Sequence, residues 1–259
     1  MNSDDLPADL VAALLATART PRLLVASDYD GTLAPLVADP AAARPHPESV
    51  QVLGELATLG DTAVAVISGR ALRDLTALSG LGAPVHLVGS HGAEFADGFV
   101  HEIDADAVAL HARLHAELTS ILDGHRGVGL ETKPASIAVH VRNAPAGLGE
   151  RVLKRVRTGP AGWDGVHVTE GKAVIELAVI ATDKGQALEL LRSRTDSGAA
   201  VFFGDDVTDE KAFRRLHAPD VGVKVGGGAS LAAFGVAATE HVATALALLL
   251  RERRRWLRE

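Results

Sequence analysis

With 259 residues, 47% of them hydrophobic, the chain has material for one large domain or for a core carrying a smaller insert. Its 26 Lys and Arg against 33 Asp and Glu leave a net charge of -7, which argues against a nucleic-acid binder, since those present a basic face. There is no cysteine, so disulfides, thiolate nucleophiles and Cys-ligated zinc or iron-sulfur centres are excluded.

The stretch "MNSDDLPADLVAALLATA" opens acidic and has no basic segment ahead of its apolar residues, so it reads as a poor secretion signal. Residues 6–18 are expected to form a leading helix against a sheet. No run approaches the ~18 consecutive apolar residues of a membrane-spanning helix, and a soluble, cytoplasmic protein with neither membrane nor nucleic-acid partners is the expectation. Short apolar runs then alternate with segments of helical period, the pattern of an α/β fold with a mainly parallel sheet. Strands are expected at 22–27, 61–68, 84–90, 199–204 and 221–225, and helices at 47–59, 70–78, 184–193 and 209–216.

Residues 104–179 break that rhythm, reading helix, strand, strand, helix, strand, strand, with the strands at 127–133, 136–142, 166–171 and 173–179. Antiparallel hairpins within a parallel chain predict an inserted α+β cap domain at 104–179, with the core made of 1–103 and 180–259. Within the insert, His111 and His115 stand four apart but lack the Glu of a metalloprotease pair, and read as one face of a surface helix. The C-terminal "TALALLLRERRRWLRE" reads as a helix packed on the core, its cations near the negative end of the helix dipole.

Chemistry-bearing residues gather where predicted strands end. In "LLVASDYDGTLAPL", Asp28 and Asp30 stand at i and i+2, a spacing that in extended backbone sends both carboxylates to one side. A calcium loop fails on register: with Gly31 as the sixth residue, positions 1 and 12 are Ala26 and Val37. A second acidic cluster, "GDDVTDE", follows another strand and supplies Asp205, Asp206, Asp209 and Glu210. Both clusters fall at the carboxyl ends of strands, where open α/β sheets place their ligand crevice. Converging oxygen ligands favour a hard cation, Mg²⁺ first. Ser68, in "ISGR", stands before a helix where phosphate oxygens can be held, and Lys184 opens another helix as a mobile point charge. Each piece alone also fits a turn.

The order strand-DxDGT, strand-Ser, Lys at a helix start, strand-GDDxTDE resembles the haloacid dehalogenase superfamily of phosphohydrolases over nearly the whole chain. That resemblance implies a Rossmann-like core with Mg²⁺ and an aspartyl-phosphate intermediate. Within the superfamily, "SDYDGTLAPL", "ISGR", "GSHGAE", "LETKPASIAVHVRNAP", "GKAVIEL" and "GDDVTDEKAF" are similar to the trehalose-6-phosphate phosphatases. Ala178-Val179 departs from that family, where a basic residue and proline often stand.

By resemblance, Asp28 is the nucleophile and Asp30 the proton shuttle, and the neighbouring Asp28 charge is expected to favour the protonated form of Asp30. The metal is expected on the Asp28 carboxylate, the Asp30 backbone carbonyl and Asp205, with Asp206 or Asp209 acting directly or through water. Ser68 and Lys184 are expected to fix the phosphoryl group, and His91, Glu94, Lys133, His140, Arg142 and Glu176 to contact the sugar. "VGGGAS" at 225–230 reads as a strand-to-helix turn. The expected activity is hydrolysis of trehalose 6-phosphate, with a functional link to a trehalose-phosphate synthase. Its rivals are a phosphatase for another sugar phosphate and a catalytically silent sugar-phosphate sensor.

Overall fold

The computed structural model describes residues 5–258. In chain order the elements are α1 (Ala8–Thr17), β1 (Leu23–Ser27), α2 (Pro47–Leu56), β2 (Thr62–Ile67), α3 (Leu72–Ser79), β3 (His86–Val88), β4 (Glu94–Phe95), β5 (Gly98–Phe99), α4 (Ala105–Leu122), β6 (Gly129–Lys133), β7 (Ser136–His140), α5 (Leu148–Thr158), β8 (His167–Gly171), β9 (Val174–Ala178), α6 (Lys184–Thr195), β10 (Ala199–Gly204), α7 (Glu210–Phe213), β11 (Val221–Val225), β12 (Phe234–Val236) and α8 (Thr239–Trp256). They form two compact units, one running to Gly98 and resuming at Asp183, the other Phe99–Thr182.

The first unit is built on a six-stranded sheet of order β12-β11-β10-β1-β2-β3, parallel throughout. A parallel sheet covered on both faces needs apolar residues at successive positions. β1 meets that need: Leu23, Leu24, Val25 and Ala26 are all fully buried. Leu10 and Leu14 of α1, Leu53 and Leu56 of α2, and Leu246 and Leu249 of α8 close one shared core with Leu23 and Val25. Each such leucine contributes about 1.5–3 kcal/mol relative to an exposed one. β10, β1 and β2 are neighbours, so the residues that follow them leave the same edge of the sheet.

α8 does more than complement a dipole. Arg253, fully buried, donates its guanidinium hydrogens to the carbonyls of Ala18, Thr20, Pro21 and Asp61 and to Thr62 Oγ1. One side chain thereby ties the segments entering β1 and β2 to the C-terminal helix.

The second unit has a four-stranded antiparallel sheet of order β6-β7-β9-β8. Ile137, Val139, Ile175 and Leu177 pack with Leu114 and Leu118 of α4 and Val152 and Val156 of α5. Alternation then puts Lys133, Ser136, His140 and Glu176 on the opposite face of the sheet.

Three local expectations differ from the structure. The Gly-rich stretch after β11 leads into β12, a short edge strand, instead of a helix. α7 spans four residues in place of the eight of 209–216, and the chain leaves it through turns. His111 does not lie on an open helix surface: its Nε2 is 2.9 Å from the carbonyl of Lys133, at the end of β6.

Candidate active site

Asp28 follows β1 directly, and its N-H donates to the Phe203 carbonyl at 2.8 Å, one more step of the ladder with β10. Past it the backbone turns, the Tyr29 carbonyl accepting the N-H groups of Leu33 and Ala34. Gly31 takes φ of 84° in that turn, and a Cβ there would overlap the Asp205 carboxylate. Glycine thus lets the two acidic loops touch, in a left-handed conformation other residues resist.

The centre of the cluster is a buried cation between carboxylates. Lys184 Nζ donates to Asp28 Oδ1 at 2.6 Å and to Asp209 Oδ1 at 2.8 Å. Asp209 Oδ2 accepts the backbone N-H groups of Asp205 and Asp206, both at 2.9 Å. Both Asp209 oxygens are therefore engaged, which makes this residue a brace for the loop. Lys184 is placed by Asp183, whose carboxylate accepts the Gln186 N-H at 2.9 Å and caps α6. Lys224 of β11 reaches the same loop, donating to the Asp205 carbonyl.

Burial pushes Asp28 well above the usual carboxylate range, with Asp209 and Asp205 adding to the shift and Lys184 opposing it. Asp205 is pushed up to about 6, chiefly by burial and then by the Asp209 charge. Burial works against the Lys184 charge, yet Asp209 and Asp28 outweigh it and hold the ammonium above its usual value. Asp28, Asp205 and Asp209 each offer a carboxylate oxygen within 4.8 Å of the others. Asp205 Oδ1 is buried without a hydrogen-bond partner. Crowded carboxylates with one oxygen unclaimed suit a hard divalent cation, which takes oxygen ligands and offsets their repulsion.

Asp30 does not aim its carboxylate into that group, as the i, i+2 spacing suggested. Its Oδ2 and Oδ1 accept from Arg70 Nε at 2.7 Å and Nη2 at 2.6 Å, so the group facing it is a cation. Ser68 is buried, its N-H donating to the Val88 carbonyl at 2.9 Å and its Oγ accepting the Arg70 N-H at 3.2 Å. The Asp206 carboxylate also stands outside the three-carboxylate group.

The residues expected at the sugar divide between the units. In the first, His91 is at φ of 54°, its N-H donating to the Ser68 carbonyl at 2.9 Å. A Cβ on Gly69 would come within 2.5 Å of the His91 ring, so that glycine makes room for it. Glu94 Oε2 accepts the Leu72 N-H and the Ser90 hydroxyl, both at 2.8 Å, and so satisfies a donor at the start of α3. In the second unit, Glu176 accepts Lys133 Nζ at 2.8 Å and Ser136 Oγ at 2.5 Å, all three buried. His140 Nε2 lies 2.8 Å from Glu131 Oε2, and that hydrogen bond pulls Glu131 below the usual range. Arg142 lies just past β7 and is exposed.

Two residues of the first unit's cluster were missed in the sequence: Arg70 and Lys224. "ISGR" carried the first in plain view, one residue beyond Ser-Gly, and a lone lysine in the apolar run "VGVKV" was the signal for the second. The "VGGGAS" stretch is held by Glu210, which accepts Ser230 Oγ at 2.7 Å and the Leu231 N-H at 2.8 Å. Among the described residues, no helix is long and apolar enough to cross a membrane.

Comparison with known proteins adds an independent line. A family model described as trehalose-phosphatase matches residues 26–236. A trehalose-phosphate phosphatase of Mycobacterium ulcerans (strain Agy99) is 38% identical over 216 residues, 79% of this chain and 54% of that protein. The chain thus spans about half the length of the curated relatives it matches. Among solved structures, the C-terminal domain of a Candida albicans trehalose-6-phosphate phosphatase superposes with a TM-score of 0.82 at 24% identity, covering 95% of this chain and 98% of that one. A haloacid dehalogenase-like hydrolase from B. subtilis gives a TM-score of 0.60 at 16% identity, covering 87% and 98%. The second likeness, at that identity, shows a haloacid dehalogenase-like fold.

Proposed function

The chain belongs to the trehalose-phosphatase family, and from that premise we propose that it hydrolyses trehalose 6-phosphate to trehalose and phosphate, with Mg²⁺ as cofactor. The observation that carries this reading is the buried Lys184 bridging Asp28 and Asp209, with Asp205 alongside. A lysine in that place holds a carboxylate and a transferring phosphoryl group together, as phosphoryl transfer requires.

In the proposed reaction the Asp28 oxygen not held by Lys184 attacks phosphorus in line. The bond from phosphorus to the sugar oxygen breaks, and that oxygen takes the proton of the Asp30 carboxyl. Water then attacks the phosphorus of the acyl phosphate and gives a proton to Asp30, releasing phosphate and restoring the Asp28 carboxylate. Acid-base help of this kind is worth ~10²–10⁴ in rate. Ser68 and Lys184 orient the phosphoryl oxygens. The Asp28 and Asp205 carboxylates and the Asp30 backbone carbonyl would hold Mg²⁺, with Asp206 or Asp209 acting directly or through water, and the ion would supply charge compensation between nucleophile and phosphate.

The insert, residues 104–179, is assigned the role of a cap, and Lys133, His140, Arg142 and Glu176 of the insert and His91 and Glu94 of the core are the residues proposed to recognise sugar. We assign the enzyme to the cytoplasm, with a functional link to a trehalose-phosphate synthase. The test is phosphate release from a panel of sugar phosphates, with Mg²⁺ and with chelator. Trehalose 6-phosphate should be turned over far faster than glucose 6-phosphate, and only with metal. Equal turnover of the two would sink the sugar assignment and leave the phosphatase chemistry standing. Asp28→Asn should lose nearly all turnover while keeping the fold, which separates an enzyme from a silent sensor.

A further inference from the structure

Arg70 is absent from every role assigned above, yet it meets the Asp30 carboxylate with two arms of its fork, Nε on Oδ2 at 2.7 Å and Nη2 on Oδ1 at 2.6 Å. The arginine is itself fixed from several sides. Its backbone N-H donates to Ser68 Oγ at 3.2 Å, and its backbone carbonyl accepts the Ser90 N-H at 2.7 Å. Nη2 also donates to the Pro40 carbonyl at 2.9 Å, and the guanidinium lies 5.6 Å from the centre of the Tyr29 ring. Only 14% of the Arg70 side chain is exposed.

A carboxylate on a turn keeps two soft torsions, and a single hydrogen bond would leave its plane free to rock. A bidentate guanidinium fixes the plane as well as the position. Asp30 therefore sits beside the nucleophile with its orientation set by a residue 40 positions further along the chain. The geometry points to Arg70 as the positioning residue for proton transfer by Asp30. In that role Arg70 gives and takes no proton; it fixes the plane in which the Asp30 carboxyl meets the oxygen that departs from phosphorus and the water that follows. This role rests on the phosphatase reading above, since it requires a leaving oxygen that needs a proton.

The test is a series of aryl phosphate esters whose leaving phenols run from acidic to weakly acidic, assayed on the full chain and on Arg70→Lys, Arg70→Met, Asp30→Asn and the double variant. Arg73→Met, an exposed neighbour, serves as the control that keeps wild-type rates. Esters of acidic phenols leave without a proton, so Arg70→Met should hold kcat within a few-fold of the unmodified chain there. On the least acidic phenol it should fall by about 10²-fold, steepening the dependence on leaving group toward that of Asp30→Asn. Arg70→Lys, a point charge without the fork, should lie closer to Arg70→Met than to the unmodified chain. The double variant should lose no more than Asp30→Asn alone, as expected of two residues acting in one step. A uniform loss across the series, with melting temperature lowered, would make Arg70 a structural tie only and overturn the proposal. An unmodified chain inert on every ester, sugar phosphates included, overturns the phosphatase reading and the positioning role with it.

Discussion

The Asp209 carboxylate lies 2.8 Å from the Lys184 ammonium, with side-chain exposures of 0% and 3%. The same carboxylate takes two backbone N-H groups of the loop that carries Asp205. Asp209→Ala leaves Lys184 with Asp28 alone and takes the acceptor from two loop N-H groups, so it should lower stability by about 2–4 kcal/mol. It should also abolish turnover. Asp209→Asn keeps an oxygen for the two N-H groups and should spare more of the fold than of the activity. Urea unfolding and phosphate release read the two effects separately, and an unchanged unfolding midpoint for Asp209→Ala would remove the brace from this account.

Gly31→Ala places a Cβ where the Asp205 carboxylate stands and asks alanine to adopt φ of 84°. A forced left-handed alanine costs about 1 kcal/mol or more. The larger effect should fall on function, because relief comes from moving Asp205. Mg²⁺ binding measured by calorimetry should weaken together with activity, whereas a loss of stability alone would show that the two acidic loops tolerate separation.

Arg253→Met removes the fork that holds the carbonyls of Ala18, Thr20, Pro21 and Asp61, at the end of the sheet remote from Asp28. The Ala18 carbonyl loses its donor in a buried place and the others in partly buried ones, the Asp61 carbonyl keeping the Leu23 N-H, and a loss of about 2–4 kcal/mol is expected. kcat should remain that of the unmodified chain below the melting temperature. A variant that melts normally but works slowly would contradict the assignment of Arg253 to stability.

In the second unit, Glu131 is held below the usual carboxylate range mainly by its hydrogen bond with His140. A carboxylate whose folded-state pKa is depressed adds stability above its unfolded pKa and loses it as pH falls through the folded value. The pair is partly exposed, so Glu131→Gln should cost only about 0.5 kcal/mol near neutrality. That difference from the unmodified chain should begin to shrink as pH falls through the ordinary glutamate range and be gone only below the depressed folded value. Thermal melts from pH 3 to 7 check it, and a penalty that grows toward acid would reverse the sign of the argument.

Much of the architecture is legible in the sequence because the physics is local there. Buried parallel strands such as "LLVAS" carry apolar residues on both faces, and the hairpins of the insert alternate about a single core. β12 escapes because three residues after a Gly-rich stretch hold no period to read. The site is legible as a set of residue types at strand ends, but not as a set of pairings. Asp28 meets Lys184 across 156 residues and Asp30 meets Arg70 across 40, and no spacing rule reaches that far. Hence Asp30, expected to share its ligand with Asp28, turns out to face a guanidinium. Glu94 likewise meets the Leu72 N-H across 22 residues, a pairing no spacing shows.

The N-H groups of Asp28 and Ser68 bond to the neighbouring strands' Phe203 and Val88, so the sheet's ladder runs one residue beyond the strands and ends on chemistry. Those two amides should exchange with deuterium only when the central sheet opens, among the slowest in the molecule. A reaction centre anchored in that way has little freedom to drift as sequences diverge. New substrate preferences must then arise in side chains and in the inserted unit, while the backbone under the nucleophile stays as it is.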